Sequence, residues 1–390
     1  VSTGVNSGCA NPTHPAIDPY SLSTFRPGDR IGIEDRRHRR SDVAKPAESP
    51  GTGTDRTTFL FKTPGPGHSV GARIGEKDAI GILRGAALPP SIGLYDDAYP
   101  IECCGGILLI KPDAVAESTD LLPGMGLEML ARKAALAAAS DIAVKGGRPR
   151  WFTSAVMLPP AMATEENFSA IRDGFARASA EYGLELVAGD TGSAAELVID
   201  VTAVGTARRF VGRIGGGEGD RVFAAGWGFG YTWLGYRVLL SGERPAVEES
   251  LIGEAIKHLY EPRIPMRFEE RAAELVSAAM DSSDGLAATL YELADLNGLD
   301  LFMEGLPIDR GLEDALEAAS LDPAEAALHG GEEYAAVGLV DGEKLEDLRG
   351  IAEEEGVPLW VIGVARKAAG SPRVVLEGRG EVRRMGWTHF

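Results

Sequence analysis

The sequence predicts an α+β fold with two cores in succession along the chain. Three observations carry this. Strand-like apolar runs recur between residues 106 and 364, but helical patterns do not alternate with them one for one, as a doubly wound parallel sheet requires. The first half holds two long helical segments of different character, one Ala-rich and one amphipathic. Residues 58–390 are long enough to close two packed cores.

Taken in order, Gly106–Ile110 reads as a strand, and Glu128–Lys145, rich in Ala and Leu, as a helix. A second helix spans Thr164–Tyr182. Thr164 is its N-cap, Glu165 and Glu166 sit in the first turn where the helix dipole favours them, and Gly183 stops it. Its apolar positions, Phe168, Ile171 and Phe175, recur at helical spacing. Leu184–Ala188 and Leu197–Gly205 read as strands, paired as a hairpin. A domain boundary fits Arg208–Asp220, where Gly215-Gly216-Gly217 precedes a strand at Arg221–Ala225. A helix over Leu286–Leu296 follows Ser-Asp-Gly and ends at Gly298. Strands at Leu299–Met303, Ala335–Leu339 and Pro358–Val364 complete the second half. The division is a tail over 1–57, an N-terminal domain over 58–208 and a C-terminal domain over 209–390.

Residues 1–57 are rich in Pro and Gly and poor in large apolar side chains, so they read as a disordered tail that folding does not need. The tail holds the basic run Arg36-Arg37-His38-Arg39-Arg40 and no apolar core of a secretory signal. Lys and Arg number 39 against 58 Asp and Glu, a net charge of −19 that excludes nucleic acid and anionic membranes as favourable partners. No apolar run reaches the roughly 18 residues of a membrane-spanning helix. Cys9, Cys103 and Cys104 cannot form a disulfide framework, and with the six histidines they give no zinc spacing. A reducing cytoplasm fits.

The chemistry is bounded first by what is missing. There is no G-x-x-x-x-G-K-[ST] loop, no G-x-S-x-G elbow and no H-E-x-x-H. Gly226-Trp-Gly228-Phe-Gly230 is not a dinucleotide fingerprint, and His258, His329 and His389 each stand alone. What remains is a series of aspartates in turns or apolar surroundings. Asp141 lies late in the Ala-rich helix, where an ionised carboxylate costs several kcal/mol unless cations or donors compensate it, or where it stands on an exposed stripe beside Lys145. Asp113 and Asp190 follow strand-like runs and serve as ligand groups or as turn residues. Asp284 precedes Gly285 at a helix start, where it or Ser283 also suits an N-cap. Converging aspartates suit a hard divalent cation that bridges to phosphate oxygens.

Seven motifs occur in order: Asp96-Asp97-Ala98, Lys111-Pro112-Asp113, Ser140-Asp-Ile-Ala-Val-Lys-Gly-Gly-Arg-Pro149, Ala188-Gly-Asp-Thr191, Ser282-Ser-Asp-Gly-Leu286, Gly330-Gly-Glu-Glu-Tyr334 and the ending Gly386-Trp-Thr-His-Phe390. Together they resemble the thiamine-monophosphate kinases of the aminoimidazole-ribonucleotide synthetase superfamily. Ser118-Thr-Asp-Leu-Leu-Pro-Gly-Met125 resembles the archaeal-type branch. The resemblance covers about residues 70–390.

It implies a two-domain synthetase-like α+β fold and a homodimer formed through the N-terminal domain. It implies ATP near the domain and subunit junction, and Mg2+-dependent transfer of the ATP γ-phosphoryl to thiamine phosphate, giving thiamine diphosphate and ADP. The implied metal ligands are Asp97, Asp113, Asp141, Asp190, Asp281 and Asp284. Gly189, Asp190, Arg213 and Ser283 are implied at the nucleotide, and Asp120, Glu332 and Trp387 at the acceptor. No side chain is implied as acid, base or nucleophile, because a phosphate oxygen is already ionised; positioning and metal ions suffice. Four features depart from the family pattern. Lys111 and Pro112 replace small hydroxyl residues, Asp120 replaces a histidine, Ala335 replaces an acid, and Leu-Tyr precedes Asp96. Two alternatives stay open: another ATP-using member of the superfamily, such as the synthetase proper, selenophosphate synthetase or the hydrogenase-maturation dehydratase, and a nucleotide-binding homologue without turnover.

Overall fold

The computed structural model describes Ala79 and residues 96–387 apart from Cys104, all within the unit Phe59–Phe390. The expectations for residues 1–57 and for Cys104 and His389 lie outside the described residues.

The first half builds a five-stranded sheet from β1 (Tyr99–Cys103), β2 (Gly106–Ala116), β3 (Gly147–Leu158), β4 (Glu185–Ser193) and β5 (Val198–Ala207). Their spatial order is β1-β2-β5-β3-β4. A single turn, α1 (Glu117–Asp120), leads to α2 (Leu127–Val144), and α3 (Glu165–Tyr182) follows β3. The α3 ends are those the sequence indicates. The Thr164 side chain accepts from the Asn167 N–H, and Gly183 stops the helix in the left-handed conformation at φ 69°.

The hairpin expected over 184–205 does not form. β4 pairs in parallel with β3, and β5 pairs antiparallel with β3 from the other side. The sequence reading passed over β3, which begins Gly-Arg-Pro-Arg and resembles a loop. With β3 in place, β3, α3 and β4 form a parallel crossover unit, and β5 runs antiparallel on the opposite side of β3, leaving β4 at the sheet edge.

The second half is a seven-stranded sheet in the order β12-β11-β8-β10-β6-β9-β7. Its strands are β6 (Arg221–Ala225), β7 (Val276–Ser282), β8 (Leu299–Met303), β9 (Ala335–Val340), β10 (Leu359–Lys367), β11 (Val374–Leu376) and β12 (Gly380–Glu381). The helices are α4 (Tyr231–Ser241), α5 (Glu249–Tyr260), α6 (Met266–Ala272), α7 (Leu286–Asn297), α8 (Arg310–Ala318), α9 (Pro323–Leu328) and α10 (Leu345–Glu355). Val222, Leu290, Leu301, Val337 and Leu339 lie at the centre of one core of this half.

The helix α2 explains how the halves meet. It packs on β2, β3 and β5, on α3, and also on α6 and β7 of the second half. Every residue from Leu130 to Val144 is therefore buried, which is why a helix with so many alanines is needed: small side chains let neighbours approach on all sides. At its end Gly146 takes φ 74°, and a Cβ there would stand 2.7 Å from the Cβ of Ala273, so only glycine allows this close turn.

Candidate active site

Lys133, Ala137 and Asp141 on α2 and Lys145, its C-cap, are spaced by four and fall on one stripe about 18 Å long. Ala137 and Asp141 line a cleft of about 1500 Å³. The remaining walls come from β2, from the end of β7 and the start of α7, from α4, and from the segments 330–334 and 384–387.

Carboxylate oxygens of Asp97, Asp141 and Asp281 all lie within 4.8 Å of one another, and all three residues are buried. Lys145, fully buried, sets its ammonium 2.7 Å from Asp96 Oδ1, 2.7 Å from Asp97 Oδ2 and 2.5 Å from the Ala279 carbonyl oxygen. Arg213 Nε donates to Asp97 Oδ1 at 3.0 Å, and its backbone N–H donates to Asp96 Oδ2 at 3.0 Å. On the other side Lys111 stands 2.6 Å from Asp141 Oδ2 and 4.0 Å from Asp113 Oδ2. Ser140 Oγ donates to Asp281 Oδ2 at 2.9 Å.

Burial pushes the Asp97 carboxyl up, but Lys145 and Arg213 outweigh it and hold the group well below the usual carboxylate range. Asp281 lacks such a partner; burial, then the Asp97 charge, push it up to about 7. Burial also pushes Asp141 up. Lys111 opposes this, and repulsion from Asp281, Asp97 and Asp113 adds to it. These are hard oxygen donors with no histidine or thiolate among them, and they repel one another; both features fit Mg2+.

The cleft wall formed by residues 330–334 is also pinned. The Glu332 carboxylate pairs with buried Lys133, and Tyr236 Oη donates to its other oxygen. Glu332 and Tyr334 adopt φ 58° and 49°, conformations that cost a non-glycine residue of order 1–3 kcal/mol. The Glu332 and Tyr334 N–H groups donate to the Ser283 and Ser282 carbonyls at 2.7 and 2.9 Å, which fixes the loop to the end of β7. Glu333, beneath it, accepts from Gly331 N–H at 2.7 Å and Ser282 Oγ at 2.9 Å; burial lifts its carboxyl to about 7. Asp284 is exposed and does not cap α7, whose N-cap is Gly285. The Trp387 backbone N–H donates to the Asp284 carbonyl at 3.1 Å, and Trp387 lines the cleft. Asp120 lines the cleft, and its Oδ2 accepts from Ala116 N–H at 2.9 Å.

A family model described as AIR synthase related protein, N-terminal domain, matches residues 95–207. The thiamine-monophosphate kinase of Nitrosopumilus maritimus is 30% identical over 286 residues, 73% of this chain and 89% of that protein. The chain belongs to the thiamine-monophosphate kinase family. The enzyme of that name from Aquifex aeolicus is also 30% identical, over 81% of this chain and 98% of its own length. A solved structure of AaThiL in complex with AMPPCP and TMP is similar with a TM-score of 0.71 and 27% identity, covering 83% of this chain and 100% of that one.

The structure thus brings Asp97, Asp113, Asp120, Asp141, Arg213, Asp281, Ser283, Asp284, Glu332 and Trp387 to one cleft. It does not bring Gly189 and Asp190 there. Both are exposed on the edge strand β4. Asp190 stands opposite Ala155, which stands opposite Asp200, which stands opposite Ala114. Cross-strand partners share a face and neighbours alternate. Asp190 therefore lies on one face of the sheet, and Asp113, next to Ala114, on the other.

The sequence gives no role to Lys133 or Tyr236, and none to Lys145 beyond its place beside Asp141 in the third motif. The signal was present: charges four and eight residues apart in an alanine-rich helix mark one face of it. His258 packs against Tyr231 and His329 is buried; neither lines the cleft.

Proposed function

We propose that this chain transfers the γ-phosphoryl group of ATP to thiamine phosphate, giving thiamine diphosphate and ADP, with Mg2+ on its aspartates. The observation that carries the reading is the meeting of Asp97, Asp141 and Asp281, from three separate motifs, at the floor of one cleft. Bound there, Mg2+ would neutralise phosphate charge as the phosphoryl group passes between two anions. Asp113 and Asp284 would complete the metal shell. Arg213, held by Asp97, would stand as a fixed cation at the nucleotide with Ser283 beside it. No protein base is needed, because the attacking phosphate oxygen is ionised.

The acceptor end suits thiamine chemistry. The thiazolium ring is a permanent cation, and the cleft offers the carboxylates of Asp120 and Glu332 with the aromatic rings of Tyr236 and Trp387.

We further propose a homodimer, cytoplasmic, with an N-terminal domain over 58–208 and a C-terminal domain over 209–390. Support for the dimer lies at the edges of the first sheet. Leu186 and Val187 on β4 are 46% and 56% exposed, and Tyr99 and Ile101 on β1 are also exposed. Exposed apolar side chains on edge strands invite pairing with another chain. A second copy on β4 would give Gly189 and Asp190 a nucleotide to touch.

The test is purified full chain with Mg-ATP and thiamine phosphate, with products separated by chromatography. Thiamine diphosphate and ADP in equal amounts are expected, and chelation of Mg2+ should stop the reaction. Equal phosphorylation of free thiamine, or no diphosphate, sinks the acceptor assignment.

A further inference from the structure

Lys111 sets its ammonium between two of the aspartates, Asp113 and Asp141. It lies on β2, opposite Ala203 on β5, so the strand register fixes its position. Its ammonium is 2.6 Å from Asp141 Oδ2 and 4.0 Å from Asp113 Oδ2, and the side chain lines the cleft. The neighbouring Pro112 has neither hydroxyl nor N–H, so Lys111-Pro112-Asp113 offers one carboxylate and no other side-chain oxygen to a metal. Lys145 and Arg213 cannot play this part, because both are committed to Asp96 and Asp97 at the other side of the cluster.

We propose that the Lys111 ammonium takes the place of one divalent cation between Asp113 and Asp141, so that this chain holds its nucleotide with one metal ion fewer than the same cluster would hold with a hydroxyl residue at 111. The inference rests on the kinase reading. A Mg2+ ion requires oxygens at about 2.0–2.1 Å in near-octahedral array. An ammonium already in contact with Asp141 blocks that oxygen sterically and repels a second cation electrostatically. The lysine brings a single charge in place of two. It is permanently present, so the phosphates meet a preformed cation there at any Mg2+ concentration.

The experiment counts bound Mn2+ by electron paramagnetic resonance on the full chain saturated with AMPPCP, for wild type, Lys111→Thr, Lys111→Gln and Lys111→Arg. Lys111→Thr and Lys111→Gln each supply an uncharged oxygen and should bind about one more Mn2+ per chain than wild type. Lys111→Arg keeps the charge and should bind the wild-type number. Equal, non-zero counts in wild type and both uncharged variants overturn this inference and leave the kinase reading standing. Absence of Mn2+ from every protein overturns both. If Lys111→Thr and Lys111→Gln both fail to fold, as judged by circular dichroism, the lysine is a structural prop and the inference is also overturned.

Discussion

At Asp281 the cost of crowding buried carboxylates is visible. Burial and the Asp97 charge lift its carboxyl to about 7, against about 3.9 in an unfolded chain. The folded protein therefore binds a proton that the unfolded one releases. Between those values stability falls as pH rises, by up to about 1.4 kcal/mol per pH unit, and the loss is complete above pH 7. Half-buried His258 and buried His329 act in the opposite sense below their ordinary value, so a variant is needed to isolate the carboxylate. Asn at 281 can still accept from Ser140 Oγ but carries no charge. Without metal, wild type should lose stability relative to Asp281→Asn as pH is raised from 5 to 8, measured by denaturant unfolding in chelator. Saturating Mg2+ with AMPPCP should flatten the difference, because the metal now holds the carboxylate ionised. Parallel curves for the two proteins in chelator would remove Asp281 from the repelling cluster.

At the scale of elements, sequence legibility tracks how each segment is buried. β6 and β8 end where the sequence places them, and α3 and α7 run within a residue of expectation. Their apolar content, caps and glycines all point one way. β3 and β7 were passed over. β7 reads Val-Ser-Ala-Ala-Met-Asp-Ser, with few β-branched side chains, because the close approach of α2 requires small ones. The aspartates of the site were legible from their ordered motifs. Of the cations around them only Arg213 was legible: Lys111 meets Asp141 only through the packing of β2 on α2, and Lys133 meets Glu332 across almost 200 residues of sequence.

β4 carries its own prediction. All nine of its residues are exposed, so the single chain gains little from Leu186 and Val187 as apolar groups. Val187→Glu should therefore change the folding stability of an isolated chain by no more than about 0.5 kcal/mol. In the proposed dimer it would place a charge in an apolar interface, and sedimentation should shift from dimer to monomer. A variant that sediments as wild type would place the interface elsewhere.

For the whole molecule, the position of Asp190 decides how many chains make one site. Its register puts it on the face of the first sheet opposite Asp113, so in a single chain it cannot join Asp97, Asp141 and Asp281 without breaking β4 from β3. If it serves the reaction, it serves the cleft of a partner. Co-expressing Asp141→Asn and Asp190→Asn chains tests this, since each alone should be nearly inactive. In a hybrid dimer the cleft of the Asp190→Asn chain keeps its own Asp141 and receives Asp190 from the Asp141→Asn partner, while the other cleft lacks both. Random pairing makes half of the dimers hybrid, so the mixture should recover about a quarter of wild-type turnover. If Asp190 acted within its own chain, every cleft in the hybrid would lack one carboxylate and nothing would be regained. A mixture as inactive as its components would therefore overturn the shared site.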